Sequence, residues 1–206
     1  MPARHERVGQ TSAMTRIGAI TSFHRELSAG QEPYWRDGWG SAEGQRVRFE
    51  ALVRSSRYRG GSVVDFGCGT GALRDFLASL DPPFTYLGLD MNGDLLPAGD
   101  EFRVIAPDAV DFPVADYVFA SGIFQFADPD DPLYYRRLAE ALYERCRVAL
   151  AVTFLSALRD GSARDPDELY LTPGQAADLA SSLSGTWVLD HSYHPDRGDL
   201  TIAVYR

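Results

Sequence analysis

The chain has 206 residues, of which 45% are hydrophobic, and this is enough for one globular domain with a sizeable buried core. Its formal net charge of −9 disfavours general binding to nucleic-acid backbones, because such binding needs clustered cations. The chain contains 20 arginines and no lysine, which excludes a lysine Schiff base and the lysine of a P-loop.

The N-terminal residues 1–15 are polar and charged, and they lack the apolar centre of a secretory signal. We therefore expect a polar, poorly ordered tail, followed by a single domain over residues 16–206. No stretch reaches the roughly 18 consecutive apolar residues of a membrane span, so we expect a cytoplasmic protein with no membrane partner. Cys68 and Cys146 form no metal-ligand pattern, and we expect no metal.

Two helices are predicted before the first strand, over residues 19–29 and from an N-cap at Ser41 to about Arg57. A short β-branched run predicts a buried strand over 62–66, and an amphipathic pattern predicts a helix over 71–80. The remaining predicted helices are 132–146 and 173–183. Four further strands are predicted, over 84–89, 102–106, 115–121 and 148–155. Two last strands, 186–193 and 200–205, are predicted to form a hairpin.

The alternation of strands and helices predicts an α/β fold in which a doubly wound, mostly parallel sheet of about seven strands is covered on both faces. The terminal hairpin adds an antiparallel strand, and the N-terminal helices precede the sheet. Only ten residues, 91–100, join the second and third strands. A parallel crossover normally takes a dozen or more, so we expect at most one helical turn there.

The segment VVDFGCGTG, residues 63–71, places Gly67, Gly69 and Gly71 in the turn after the first strand. Open α/β sheets bind their ligands at such turns. The spacing also satisfies the dinucleotide fingerprint, with Asp90 lying 23 positions beyond Gly67. Asp65 argues against that ligand, because its carboxylate would face a pyrophosphate. S-adenosylmethionine carries an ammonium group, a positive sulfur and a ribose diol. It is therefore compatible with a carboxylate at Asp65 and with one at Asp90.

These motifs resemble those of the class I S-adenosylmethionine-dependent methyltransferases. VVDFGCGTG is similar to motif I, YLGLD to the acid motif of the second strand, and ADYVFASGIF to the fourth strand. The resemblance spans residues 34–206 and implies the sheet order 3-2-1-4-5-7-6, with an antiparallel seventh strand. WGSAEGQRVRFEAL and VTFLS are similar to a small-molecule branch associated with natural-product tailoring.

The resemblance also implies roles for individual residues. Asp65 would engage the methionine ammonium, and Asp90 would bind the ribose hydroxyls. Arg48 would pair with the cofactor carboxylate, although a surface arginine on an amphipathic helix fits it equally well. Asp108, with Asp111 as a rival, would recognise the adenine edge. The other implied cofactor contacts are the backbone of Gly67, Gly69 and Gly71, then Met91 and Ala109 at the adenine, and Ser121 and Gly122 at the methionine end.

The methyl acceptor is less constrained by the sequence. SGIF follows the fourth strand, in place of the N/D-P-P-Y/F signature of many amino-methylating enzymes, so we expect no nucleic-acid partner. Tyr34, Trp39 and Phe124 are expected to line an apolar acceptor pocket, with ordinary core packing as the alternative. Proximity and orientation can supply much of the rate of methyl transfer. No general base is therefore assigned, and the histidines considered for that role are His24, His191 and His194.

The expected function is methyl transfer from S-adenosylmethionine to a small-molecule acceptor, with S-adenosylhomocysteine as the product. Three alternatives remain open: a macromolecule methyltransferase, a non-catalytic protein that binds the same cofactor, and an NAD-binding oxidoreductase of similar fold. The sequence does not indicate the oligomeric state.

Overall fold

The computed structural model describes residues 15–27, 32–159, 164–194 and 198–206. The helices are α1 (Arg16–Leu27), α2 (Pro33–Arg36), α3 (Ala42–Ser55), α4 (Ala72–Ala78), α5 (Tyr134–Glu144) and α6 (Pro173–Leu183). The strands are β1 (Gly61–Phe66), β2 (Phe84–Asp90), β3 (Phe102–Val104), β4 (Ala115–Ala120), β5 (Cys146–Ser156), β6 (Tyr170–Leu171), β7 (Trp187–Asp190) and β8 (Asp199–Tyr205).

One mixed sheet organises the fold, with strands in the order β3-β2-β1-β4-β5-β8-β7 and with β6 paired to the end of β5. The strands from β3 to β5 run parallel, whereas β8 is antiparallel to both β5 and β7. The predicted α/β class, the strand order and the antiparallel terminal hairpin are thereby confirmed. The two-residue strand β6 was not predicted, since a run of two apolar residues carries no periodicity.

The helix ends follow from local capping chemistry. The Ser41 hydroxyl accepts a hydrogen bond from the Gly44 amide and begins α3, as the N-cap pattern predicts. Thr172 and Gln175 form a reciprocal capping box at the start of α6, with Pro173 in the first helical position. These contacts fix where the helices that cover the sheet begin.

Alternation along the central strands divides the core into two layers. On β1, Val63 packs in the cluster with α3 and α4, whereas Val64 and Phe66 pack in the cluster with α5 and α6. β8 is buried from Asp199 to Val204 because both of its faces are covered. Among the described residues, no helix combines the length and the apolar character needed to cross a membrane.

The connection between β2 and β3 contains turns and no helix, in agreement with its short length. The Phe102 ring fills the space beside the two neighbouring glycines: a Cβ on Gly88 would lie 2.7 Å from its Cδ1 and one on Gly71 would lie 2.9 Å from its Cε1. Most of the predicted tail, residues 1–14, lies outside the described residues.

Candidate functional site

A cavity lies at the carboxyl ends of β1, β2 and β4, with about 1040 Å³ of empty space that is open to solvent. This is the point where the sheet order reverses, since the chain moves from β1 toward β3 on one side and toward β5 on the other. Ligands of open α/β sheets bind in the crevice at this switch point. The fold therefore presents a binding site at the place where the glycine-rich turn lies.

The glycine-rich turn is held by the end of β2. The amides of Gly67 and Cys68 both donate to the Leu89 carbonyl, at 2.7 and 3.0 Å. Gly69 has a φ of +52°, and a Cβ there would lie 2.4 Å from Asp37 Oδ1. A side chain at this position would be strained by its backbone and would also displace a neighbouring carboxylate.

Asp90, the last residue of β2, connects the glycine turn to the next loop. Its Oδ2 accepts a hydrogen bond from the Gly69 amide at 2.9 Å, and its Oδ1 accepts one from the Asn92 amide at 2.8 Å. The residue is 9% exposed and lines the cavity. Because each carboxylate oxygen has two lone pairs, both oxygens retain capacity to accept hydrogen bonds from a ligand.

Asp65, on β1, is 2% exposed and also lines the cavity. The Tyr86 hydroxyl donates to its Oδ2 at 2.6 Å. Burial raises the pKa of Asp65 to about 7, and the nearby carboxylates of Asp90 and Asp37 add to that shift. Near neutral pH this group therefore changes charge readily in response to its neighbours.

The third carboxylate in the cavity, Asp37, carries no motif in the sequence and was missed there. It follows α2, and its oxygens accept hydrogen bonds from the amide and hydroxyl of Thr70 and from Gln45 Nε2, at 2.8, 2.8 and 2.9 Å. Burial raises its pKa despite these bonds. The segment before α3 is thereby fastened to the glycine turn, 33 positions further along the chain.

The part of the cavity beyond β2 and β3 is mainly apolar. Met91, Leu95 and Ile105 line it together with Asp108. Asp108 has a φ of 58° and forms an ion pair with Arg16, which is 5% exposed and lies 4.2 Å above the Tyr134 ring. The first residue of α1 is thus anchored at this side of the cavity.

The opposite part of the cavity lies beyond β4, and we call it the β4 end; its lining includes His24, Trp39, Ser121, Gly122, Gln125 and Phe126. The Gly122 amide donates to Thr153 Oγ1 at 3.1 Å. Trp39 packs closely on Gly122, where a Cβ would lie 3.0 Å from the indole. This end combines aromatic surface with a small number of polar groups, as small-molecule pockets do.

Of the residues predicted for the site, nine line the cavity: Asp65, Gly67, Gly69, Asp90, Met91, Asp108, Ser121, Gly122 and Trp39. Arg48 does not line it and instead pairs with buried Asp199. The Arg48 guanidinium carbon lies 4.4 Å from the centroid of the Trp39 ring. Phe124 is 1% exposed and stacks on Phe154 in the core. Arg48 and Phe124 do border a smaller adjoining cavity, which shares Trp39, Gly122 and Gln125 with the large one.

Three further predicted residues do not line the large cavity. Gly71, with a φ of 78°, is the N-cap of α4, and the Ala109 amide is used in a turn with the Ala106 carbonyl. Tyr34, in α2, accepts a bond from the Trp39 amide through its backbone carbonyl. Their positions serve the turns that shape the site.

The three candidate histidines have different partners. His24 lies on α1 at the β4 end, His191 bonds to Ser156 Oγ at 2.8 Å, and His194 lies 3.8 Å from Asp199. Within the described ranges, no group of three or more His, Cys, Asp or Glu side chains is arranged to hold a metal ion.

Comparisons with known proteins identify the fold. No protein-family model and no curated protein sequence matches the chain. Magnesium protoporphyrin IX methyltransferase from Synechocystis PCC 6803, solved with bound S-adenosylhomocysteine, is 13% identical with a TM-score of 0.61, and the match covers 93% of this chain and 95% of that one.

Two other solved structures show the same fold. Human N-acetylserotonin methyltransferase, in complex with S-adenosylmethionine, is 17% identical with a TM-score of 0.59, over 91% of this chain and 58% of that one. The small RNA methyltransferase HEN1 is 16% identical with a TM-score of 0.53, over 80% of this chain and 25% of that one. The protein therefore has the fold of the S-adenosylmethionine-dependent methyltransferases, as its motifs indicated.

Proposed function

We propose that the protein transfers the methyl group of S-adenosylmethionine to a small-molecule acceptor. The observation that carries this proposal is the set of three carboxylates, Asp37, Asp65 and Asp90, that line one cavity around the glycine turn. Two of them are nine-tenths or more buried. Buried carboxylates that lie close together favour a ligand that carries positive charge or donates hydrogen bonds.

The charge of the cavity discriminates between the two cofactors that fit the glycine spacing. A pyrophosphate beside Asp65 would add negative charge to a site where the pKa of Asp65 is already raised toward neutrality. The ammonium and sulfonium groups of S-adenosylmethionine would instead neutralise part of the existing charge. The same electrostatic argument thus favours the methyl donor and disfavours NAD.

The residues present fit S-adenosylmethionine at three points. Asp65 would face the ammonium group, and the remaining lone pairs of Asp90 would accept the two ribose hydroxyls. Met91, Leu95 and Ile105 would provide apolar contacts for the adenine, with Asp108 at its edge. The sulfonium of the cofactor supplies an activated methyl carbon when it is bound. The chain's contribution is to hold that carbon toward the β4 end and to exclude water around it.

The lining of the β4 end supports a small acceptor. His24 and Ile20 of α1 line the cavity, and the Phe23 ring contacts the Phe126 ring with centroids 5.4 Å apart. Aromatic and apolar side chains with a few polar groups are typical of pockets that bind small molecules.

Calorimetric titration with S-adenosylhomocysteine and with NAD tests this proposal. We expect S-adenosylhomocysteine to bind, and we expect Asp65→Asn to weaken it by about tenfold or more, as for the loss of a hydrogen bond to a charged group. Asp75→Asn, at an exposed carboxylate on α4, is the control and should bind as the wild type does. Tighter binding of NAD than of S-adenosylhomocysteine would reverse the assignment.

A further inference from the structure

We propose that the β4 end recognises its methyl acceptor as a hydrogen-bond donor, through His24 Nε2 and Gln125 Oε1. The acceptor class is then an aromatic hydroxyl or amine, and a carboxylate is disfavoured. This inference rests on the proposed function, because it assumes that the cofactor occupies the remainder of the cavity. In each of the two side chains a partner holds one polar atom and leaves the other for the acceptor.

The orientation of the Gln125 amide is fixed by Glu168. Gln125 Nε2 donates to Glu168 Oε1 at 2.8 Å, and an ionised carboxylate can only accept hydrogen bonds. The nitrogen must therefore face Glu168, which leaves the carbonyl oxygen Oε1 as the side-chain atom available to a ligand in the cavities that Gln125 lines. Among the described residues, this oxygen has no hydrogen-bond partner.

Backbone pairing holds Gln125 in this position. The Leu169 amide donates to the Gln125 carbonyl at 2.7 Å, and the Ala127 amide donates to the Asp167 carbonyl at 2.9 Å. Glu168 is fixed in turn by the Tyr170 hydroxyl, which donates to its second oxygen. Because hydrogen bonds already hold the backbone and the side-chain nitrogen of Gln125, the residue loses little conformational entropy when a ligand binds.

The tautomer of His24 follows from the same reasoning. His24 Nδ1 lies 3.2 Å from the Arg36 carbonyl oxygen, which can only accept, so Nδ1 carries the proton. In the neutral ring, Nε2 is then the atom with a lone pair. Two side chains that line the same cavity thus each offer an acceptor atom.

The two arginines that border the cavities are each already paired with a carboxylate of the chain, although Arg16 Nε has no hydrogen-bond partner. Arg16 pairs with Asp108 and lies near Asp128, and Arg48 pairs with Asp199. A carboxylate ligand would have to compete with these contacts while facing Gln125 Oε1. A ring that bears a hydroxyl group can donate to one of the two acceptor atoms, and a ring that bears an amino group can donate to both. Either ring can pack against Trp39 and Phe126.

Ligand-observed NMR with four small probes tests the inference on protein saturated with S-adenosylhomocysteine. Phenol and aniline carry a donor, whereas anisole and benzoate do not. We expect phenol and aniline to bind at least about fivefold more tightly than the other two, the effect of one hydrogen bond. Gln125→Met and His24→Phe should each reduce this preference, and Gln175→Met, at the start of α6, should leave it unchanged.

Glu168→Gln isolates the orientation of the amide. A glutamine at that position can donate as well as accept, so Gln125 would be able to present either its oxygen or its nitrogen to the cavity. The preference for phenol over anisole should then fall although Gln125 itself is intact. Equal or tighter binding of anisole or benzoate, a preference unchanged in all three variants, or no binding of any probe would overturn the inference. Failure of S-adenosylhomocysteine itself to bind would instead overturn the proposed function.

Discussion

Asp65 is the residue whose charge depends most directly on what occupies the cavity. Burial and two neighbouring carboxylates raise its pKa to about 7, so that near neutral pH both its protonated and its ionised forms are populated. A bound ammonium group favours the ionised form and lowers that pKa. Binding of S-adenosylhomocysteine at pH 7 should therefore release a fraction of a proton from this group.

Calorimetry in buffers with different ionisation enthalpies measures that release. The heat of binding in phosphate and in Tris should differ by the released fraction times the difference in buffer enthalpy. In Asp65→Asn the dependence on buffer should disappear. A wild-type heat that is the same in both buffers would show that Asp65 does not change its protonation on binding.

Gly69 lies at a position in the glycine turn where a side chain would be poorly tolerated. Its φ is +52° and a Cβ would lie 2.4 Å from Asp37 Oδ1, so Gly69→Ala should distort the turn and move Asp37. We expect the affinity for S-adenosylhomocysteine to fall by about tenfold or more. Gly185→Ala is the control, because a Cβ there meets nothing within 4 Å. Similar affinity in the two variants would make the glycine turn structural only.

For individual residues, the sequence identifies those within the glycine-rich motif and at the strand ends, and it misses those that tertiary packing brings beside them. Asp65, Gly69 and Asp90 follow directly from strand ends and the glycine spacing. Asp37 does not, because its place beside Thr70 depends on how the segment before α3 packs across the turn. Arg48 was predicted to face the cofactor, but a buried carboxylate on the last strand, Asp199, holds it elsewhere.

The helix α1 lines one side of the cavity, and its first residue, Arg16, is buried there. Arg16→Met removes the ion pair with Asp108 and the guanidinium contact with the Tyr134 ring, so α1 should open more often. Hydrogen exchange of the α1 amides should become faster, and the affinity for S-adenosylhomocysteine should fall by about fivefold. Arg46→Met, on the exposed face of α3, is the matched control.

The outcome that would contradict this role of α1 is unchanged exchange in Arg16→Met. In that case the Phe23 contacts with Phe126 would be sufficient to hold the helix. Faster exchange without loss of affinity would mean that α1 covers only the acceptor and not the cofactor.

Elements with strong local signals were predicted well. The start of α6 follows from Thr172 and Pro173, and the start of α3 follows from Ser41. The prediction of at most one helical turn between β2 and β3 also follows from the length of that connection alone. β6 could not be predicted, since its two residues become a strand only by pairing with the end of β5, and such pairing depends on the tertiary structure.

For the whole molecule, the ionised form of Asp65 reduces the stability of the folded state. Its folded pKa lies above the unfolded value, so the folded state binds more protons and stability is lost as pH rises from about 4 to about 7. Asp65→Asn keeps an acceptor for Tyr86 and removes the charge. Without ligand, the variant should therefore be more stable than the wild type above pH 7, by about 2 kcal/mol or roughly 5 °C in Tm.

Thermal unfolding between pH 5 and pH 8 measures this difference, which should shrink toward pH 5 as Asp65 becomes protonated. Asp75→Asn should show no such dependence, because that carboxylate is exposed. A variant that is less stable than the wild type at pH 8 would contradict the expected sign.

The clustering of Asp37, Asp65 and Asp90 in one cavity has a consequence for the abundance of the protein in a cell. Their mutual repulsion weakens the empty protein, and a cationic ligand relieves it, so occupancy and folding are linked. A small loss of folding free energy changes the fraction of chains that proteases remove. The abundance of this protein should therefore follow the supply of the proposed methyl donor, so that a starved cell would degrade it faster than a well-supplied one.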